Sequence, residues 1–128
     1  MRLLIDTHAL LWWLSDHPSL SPAAREAMAA TSNVLLVSAA SAWEIATKVR
    51  LGRLAGAEEL TADFPNLLHR EGFTTLDITT DHALRAGLLP GPHRDPFDRM
   101  LIAQAQAENL PLVTNERVFA TYGIRCVW

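Results

Sequence analysis

The sequence predicts an α/β fold built on a parallel sheet. Two observations carry this reading. Five short apolar segments, at 3–5, 34–37, 73–78, 112–113 and 124–127, run with little polar alternation, as strands covered on both faces do. Between them lie stretches with helix-start and helix-stop chemistry, so strands and helices alternate along the chain.

Each element has a local reason. The first strand runs into Asp6, which is placed to cap a helix starting at Thr7. Ser21-Pro22 opens an alanine-rich helix to about residue 30, because serine caps and proline loses nothing at the first helical position. Ser38, at the end of the second strand, opens a helix through Leu51 that Gly52 closes. Residues 57–70 read as helix broken or kinked by Pro65. Thr80 starts a short helix ending at Gly87, and Pro90-Gly91-Pro92 makes 88–94 a loop. Asp95-Pro96 begins the next helix, and a last short helix is expected near 116–121.

Composition bounds the function. At 128 residues the chain fits one domain, 1–128, able to bury about two thirds of its unfolded surface. With 49% apolar and 20% charged residues it is globular. The net charge of −3 is no nucleic-acid footprint by itself. Ten of the eleven basic residues are arginine, which either reflects genome composition or serves bidentate phosphate contact. Cys126 is the only cysteine, which excludes an intrachain disulfide and a cysteine-rich zinc site. The amino-terminal MRLLIDTHALLWWL mimics a signal peptide, but Asp6 and His8 interrupt it, and no apolar run approaches membrane-spanning length. A cytoplasmic protein with no membrane association is expected.

The acidic residues carry the chemical signal. Open α/β sheets bind ligands beyond the carboxyl ends of their strands. Asp6 follows the first strand directly, and Glu116 lies just past the fourth. Glu44 sits about two turns into the helix after the second strand, and Asp98 in the first turn of the helix before the fourth. Asp98 heads the buried stripe of Leu101, Ile102 and Ala105, where an unpaired charge is costly, so a cationic partner is expected to meet it. Four carboxylates at one sheet edge need cations, and oxygen ligands suit magnesium or manganese.

Every one of these residues also has a plainer use. Asp6 can be a helix cap, Glu44 an ordinary pair with Lys48, and Glu116 a complement to a helix dipole. Asp95 is read as a cap that pairs with Arg99 four residues on. Thr7 and Thr114 serve either to hold a water or carboxylate or to bond backbone. Arg94 and Arg99 flank the acidic pair as candidates for holding phosphate. His8 is read as a helix-start structural residue, Trp12 and Trp13 as core or interface. His17, His69, His82 and His93 lack ligand spacing.

The segments DTHALLWWL (6–14), SAASAWEIATKVRLGRL (38–54), HRDPFDRMLIAQA (93–105) and LVTNERVFATYG (112–123) together resemble PIN-domain ribonucleases. They are most like the toxin component of VapBC-type toxin–antitoxin pairs. The resemblance spans nearly the whole chain in four ordered blocks. It implies a three-layer α/β/α domain around a central parallel five-stranded sheet. It also implies magnesium- or manganese-dependent RNA cleavage, a cognate antitoxin protein as partner, and a homodimer. The family's acidic positions fall on Asp6, Glu44 and Asp98. Its fourth, usually aspartate, is Glu116 here, a departure that keeps open a catalytically inactive PIN domain serving as a protein-binding module. Two other acidic α/β classes fit less well. A phospho-acceptor receiver needs a lysine at a strand end, and Lys48 is mid-helix. A haloacid-dehalogenase-like phosphatase needs aspartates two apart after the first strand, where this chain has Asp6 and His8.

Overall fold

A computed structural model describes residues 1–128. The strands are β1 (Arg2–Ile5), β2 (Val34–Ser38), β3 (Phe73–Leu76), β4 (Leu112–Val113) and β5 (Cys126–Val127). All neighbours pair in parallel, in the order β3-β2-β1-β4-β5. The helices are α1 (Thr7–Leu14), α2 (Pro22–Ala29), α3 (Ala39–Arg50), α4 (Glu58–Ala62), α5 (Phe64–Arg70), α6 (Thr80–Leu88), α7 (Pro96–Glu108) and α8 (Val118–Thr121).

Alternate strand residues feed two cores, which makes three layers. Leu3, Ile5, Leu35, Val37, Phe73 and Val113 face α1, α2, α3 and α5, where they meet Leu10, Met28, Ile45 and Leu68. Leu4, Leu36 and Leu112 face α7 and α8 and pack on Leu101, Ile102 and Phe119. Strands without polar alternation follow from this, since both faces are covered. The sheet and its helices have the expected α/β/α architecture.

The caps act locally as their chemistry requires. Ser21 Oγ accepts from the Ala24 N–H and Ser38 Oγ from the Ala40 N–H. Asp95 accepts from the N–H groups of Phe97 and Asp98, so it is the cap of α7. Two local expectations are corrected. The break in 57–70 falls at Asp63, and Pro65 lies in the first turn of α5, where a missing N–H is harmless. The last helix begins at Val118 and not at Glu116, so Glu116 stands in the loop before it. α2 buries its large side chain, Met28, while the exposed large apolar residues include Trp43 on α3 and Leu84 and Leu88 on α6.

Two features place α7. It precedes β4, so its amino end must lie at the carboxyl edge of the sheet, and Asp98 with it. α6 packs on α7, and the buried His82 at the start of α6 sends Nε2 to Glu108 near the end of α7 at 2.9 Å. His82 also completes the capping box of α6 with Thr79. No helix is long and apolar enough to cross a membrane.

Candidate metal centre

Asp6 occupies the N-cap position of α1 but makes no side-chain cap bond. Its carboxylate turns to the neighbouring strand instead. β1 and β4 pair with Leu4 opposite Leu112 and Ile5 opposite Val113, which brings the next residues, Asp6 and Thr114, side by side. Thr114 Oγ1 donates to Asp6 Oδ2 at 2.8 Å and accepts from the Glu116 N–H at 3.1 Å. One buried hydroxyl therefore fixes a carboxylate and the backbone that presents another.

Glu116 also meets His8, Nδ1 to Oε1 at 3.4 Å. The ligand atoms of Asp6, His8 and Glu116 lie within 4.8 Å of one another. His8 is thus in the acidic group and not only at a helix start. Its signal was its position two residues after Asp6, which returns its side chain to the same end of α1.

Asp98, in the first turn of α7, lies outside that compact group. Burial pushes its carboxyl up to about 6; the hydrogen bond from His93 opposes this, and the charges of Asp95 and Glu116 reinforce it. Asp6 is also pushed up to about 6, first by burial, with Thr114 opposing and the charges of Glu116 and Asp98 adding. The charge of Glu116 bears on both aspartates, and that of Asp98 on Asp6. The partner expected for Asp98 is His93, Nε2 to Oδ2 at 2.9 Å. No metal-ligand spacing in the sequence marks His93, because it reaches Asp98 through a loop and not along a helix face.

The other candidates separate. Glu44 is buried, and Lys48 Nζ holds its Oε2 at 2.7 Å, outside the compact group. Trp43, beside Glu44, meets Phe97 of α7 edge-on with ring centroids 4.7 Å apart, so α3 and α7 do converge at this edge. Thr7 Oγ1 donates to Ser41 Oγ at 2.8 Å and joins α1 to α3. Arg94 is exposed. Arg99 does not pair with Asp95. Its guanidinium is spent on the carbonyls of Ala86, Gly87, Leu89 and His93. The solvated i,i+4 pair loses to these carbonyls because α6 and the following loop leave acceptors that have no other partner. Trp12 is half-buried, stacked on His17 and tilted against Trp128.

The donor set fits a hard divalent cation. Two carboxyls raised by burial and by the charge of Glu116, with that third carboxylate and an imidazole beside Asp6, are relieved by positive charge and offer mainly oxygen.

Comparison with known proteins agrees with this architecture. The sequence model of the PIN domain matches residues 3–124. The chain is 32% identical over 116 residues to Ribonuclease VapC22 of Mycobacterium tuberculosis, covering 90% of this chain and 87% of that protein. Among solved structures it resembles a chain of VapBC2 from Rickettsia felis bound to a promoter DNA fragment, with a TM-score of 0.71 at 18% identity over 98% and 97% of the two chains. It also resembles a chain of DNA-bound VapBC from Salmonella typhimurium, with a TM-score of 0.67 at 22% identity over 98% and 96%. The chain belongs to the PIN-domain family.

Proposed function

We propose that this protein is a magnesium- or manganese-dependent endoribonuclease, the toxin of a type II toxin–antitoxin pair. The observation that carries the reading is the group of Asp6, His8 and Glu116, with ligand atoms within 4.8 Å of one another, at the sheet edge where α7 also begins with Asp98. Carboxyls that burial and neighbouring charge push up in one place mark a candidate functional site. The relative named a ribonuclease supports RNA as the substrate, and the VapBC neighbours support an antitoxin partner.

In this reading Asp6 and Asp98 would hold the first cation, and Glu116 would serve a second, weaker position directly or through water. A bound divalent ion supplies an acidified water and offsets the negative charge of the phosphate. The chain's own groups do the orienting. Thr114 pins Asp6 Oδ2 and leaves Oδ1 free to ligate. Glu44, which Lys48 holds here at 2.7 Å, would be a further carboxylate for the cation. Arg94, exposed beside the acidic turn, is placed to meet a phosphate of the RNA. Thr7 supports the site from behind through Ser41. Trp43, Leu51, Leu84 and Leu88 leave apolar surface for the antitoxin and for a homodimer. The protein acts as a single PIN domain, 1–128, in the cytoplasm.

The test is cleavage of a mixed RNA pool by purified protein, with and without Mn²⁺, beside Asp6→Asn. Metal-dependent cleavage lost in the variant supports the reading. Antitoxin binding with no cleavage in excess Mn²⁺ favours the protein-binding module instead.

A further inference from the structure

We infer that His93 is a positioning residue for Asp98, locked in place by the loop that Arg99 gathers, and that this link sets the site's affinity for divalent cations. The inference rests on the reading of Asp98 as a metal ligand.

Residues 89–95 join α6 to α7 without regular structure, so side chains must fix them. Arg99 reaches back from α7 and donates Nε to Ala86 O at 3.1 Å, Nη1 to His93 O at 3.0 Å, and Nη2 to Leu89 O at 2.7 Å and Gly87 O at 3.4 Å. The planar fork spreads five donors over these four carbonyls, more than the three that a lysine's single ammonium offers. From the other side Tyr122 Oη donates to Pro90 O at 3.0 Å. Gly91 sits beneath that hydroxyl at φ 92°, where an added Cβ would lie 2.8 Å from it. The turn is therefore seated against α8's end, and His93 leaves it at a defined point.

From there His93 Nε2 meets Asp98 Oδ2 at 2.9 Å, with the His93 side chain 25% exposed and that of Asp98 14%. Asp98's own N–H is already held by Asp95 at 3.0 Å. The cap thus holds Asp98's backbone and His93 its carboxylate, with one oxygen committed to His93 and the other left for a ligand. An ordinary surface pair would not be anchored by an arginine whose fork reaches only loop and helix-end carbonyls. Partners of this kind, which hold a ligating carboxylate in one rotamer, commonly change metal affinity or activity by roughly 10–100-fold when removed.

The experiment titrates Mn²⁺ alone into the purified protein by calorimetry, for wild type, His93→Ala, His93→Gln and Asp98→Asn. RNA cleavage is followed against Mn²⁺ in parallel. His93→Ala is expected to weaken Mn²⁺ binding by roughly 10–100-fold. The half-maximal metal concentration for cleavage should move further than the saturated rate. His93→Gln, whose amide N–H can donate to the same oxygen, should recover most of the loss. Should His93→Ala fail to fold, near-wild-type binding by His93→Gln supports the link, and a folded His93→Gln with the full loss overturns it. Wild-type affinity in His93→Ala overturns it outright. If Asp98→Asn itself binds Mn²⁺ normally, the ligand assignment of Asp98 fails and takes this inference with it. If Asp98→Asn loses binding and His93→Ala does not, only the positioning role fails.

Discussion

Two aspartates stand at the same helical position and do opposite things. Asp6 is the N-cap residue of α1 and Asp95 that of α7, with backbone angles of φ −62°, ψ 149° and φ −63°, ψ 115°. Asp95 is exposed and accepts from the N–H groups of Phe97 and Asp98 at 2.9 and 3.0 Å. Asp6 is buried, makes no cap bond, and gives its oxygen to Thr114 on the next strand. A helix start thus offers a carboxylate two uses, and the neighbours decide between them. Where a strand end places a hydroxyl alongside and two further carboxylates close by, the aspartate forgoes its own helix. Where only its own helix is near, it caps.

The largest expected break in this comparison is catalytic. Asp6→Asn should lower RNA cleavage by at least about a hundredfold, above the range for losing a mere partner of a ligand. Asp95→Asn should keep the rate within several-fold, since asparagine caps about as well as aspartate. Equal losses from the two changes, measured at saturating Mn²⁺, would mean that both aspartates serve the metal.

Stability should move in opposite directions. Asp95→Ala removes a cap and should cost about 1 kcal/mol, a drop of several degrees in melting temperature for a domain of this size. Asp6→Asn removes a charge that burial and two neighbours oppose, so the metal-free variant should melt at or above wild type near neutral pH. A lower melting temperature for Asp6→Asn would show that the bond from Thr114 outweighs the repulsion.

The pH dependence sharpens the same contrast. Asp6 titrates at about 6 when folded, against 3.8 for an unperturbed aspartate, so the folded state binds its proton more tightly. Its destabilising charge is absent below the unfolded value, grows as pH rises between the two, and is complete above about 6. The melting-temperature gain of metal-free Asp6→Asn over wild type should therefore widen from about pH 4 to about pH 7 and then level off. A gap independent of pH would remove the carboxylate's charge as the cause.

The smallest effects belong to Glu116, which is half-buried. Glu116→Gln should raise the Mg²⁺ concentration for half-maximal cleavage more than it lowers the saturated rate, while Glu116→Asp keeps or improves cleavage. An unchanged metal dependence in Glu116→Gln would leave the site to the remaining carboxylates.

Elements whose causes lie within a few residues were legible before any folding was considered. Ser21, Ser38 and Asp95 each cap a helix whose N–H groups are their immediate neighbours. The near-continuous apolar strands announced a sheet covered on both faces, and the rule for open α/β sheets placed Asp6, Asp98 and Glu116 at one edge. The four family blocks named the PIN-domain family from residues that stand in plain order. Which of these carboxylates meet, and through what, became visible only in the folded chain. Thr114 reaches Asp6 across a separation of 108 residues because β4 lies beside β1 in one register, and a shift of one residue would turn that hydroxyl to the other face. His93 meets Asp98 from a loop whose carbonyls Arg99 gathers in place of its helical neighbour. Glu44 stays with Lys48, a partner already on its own helix. Caps and strand faces follow chain geometry, which is local and periodic. The partners of a buried charge depend on strand order and loop path, which no nearby residue encodes.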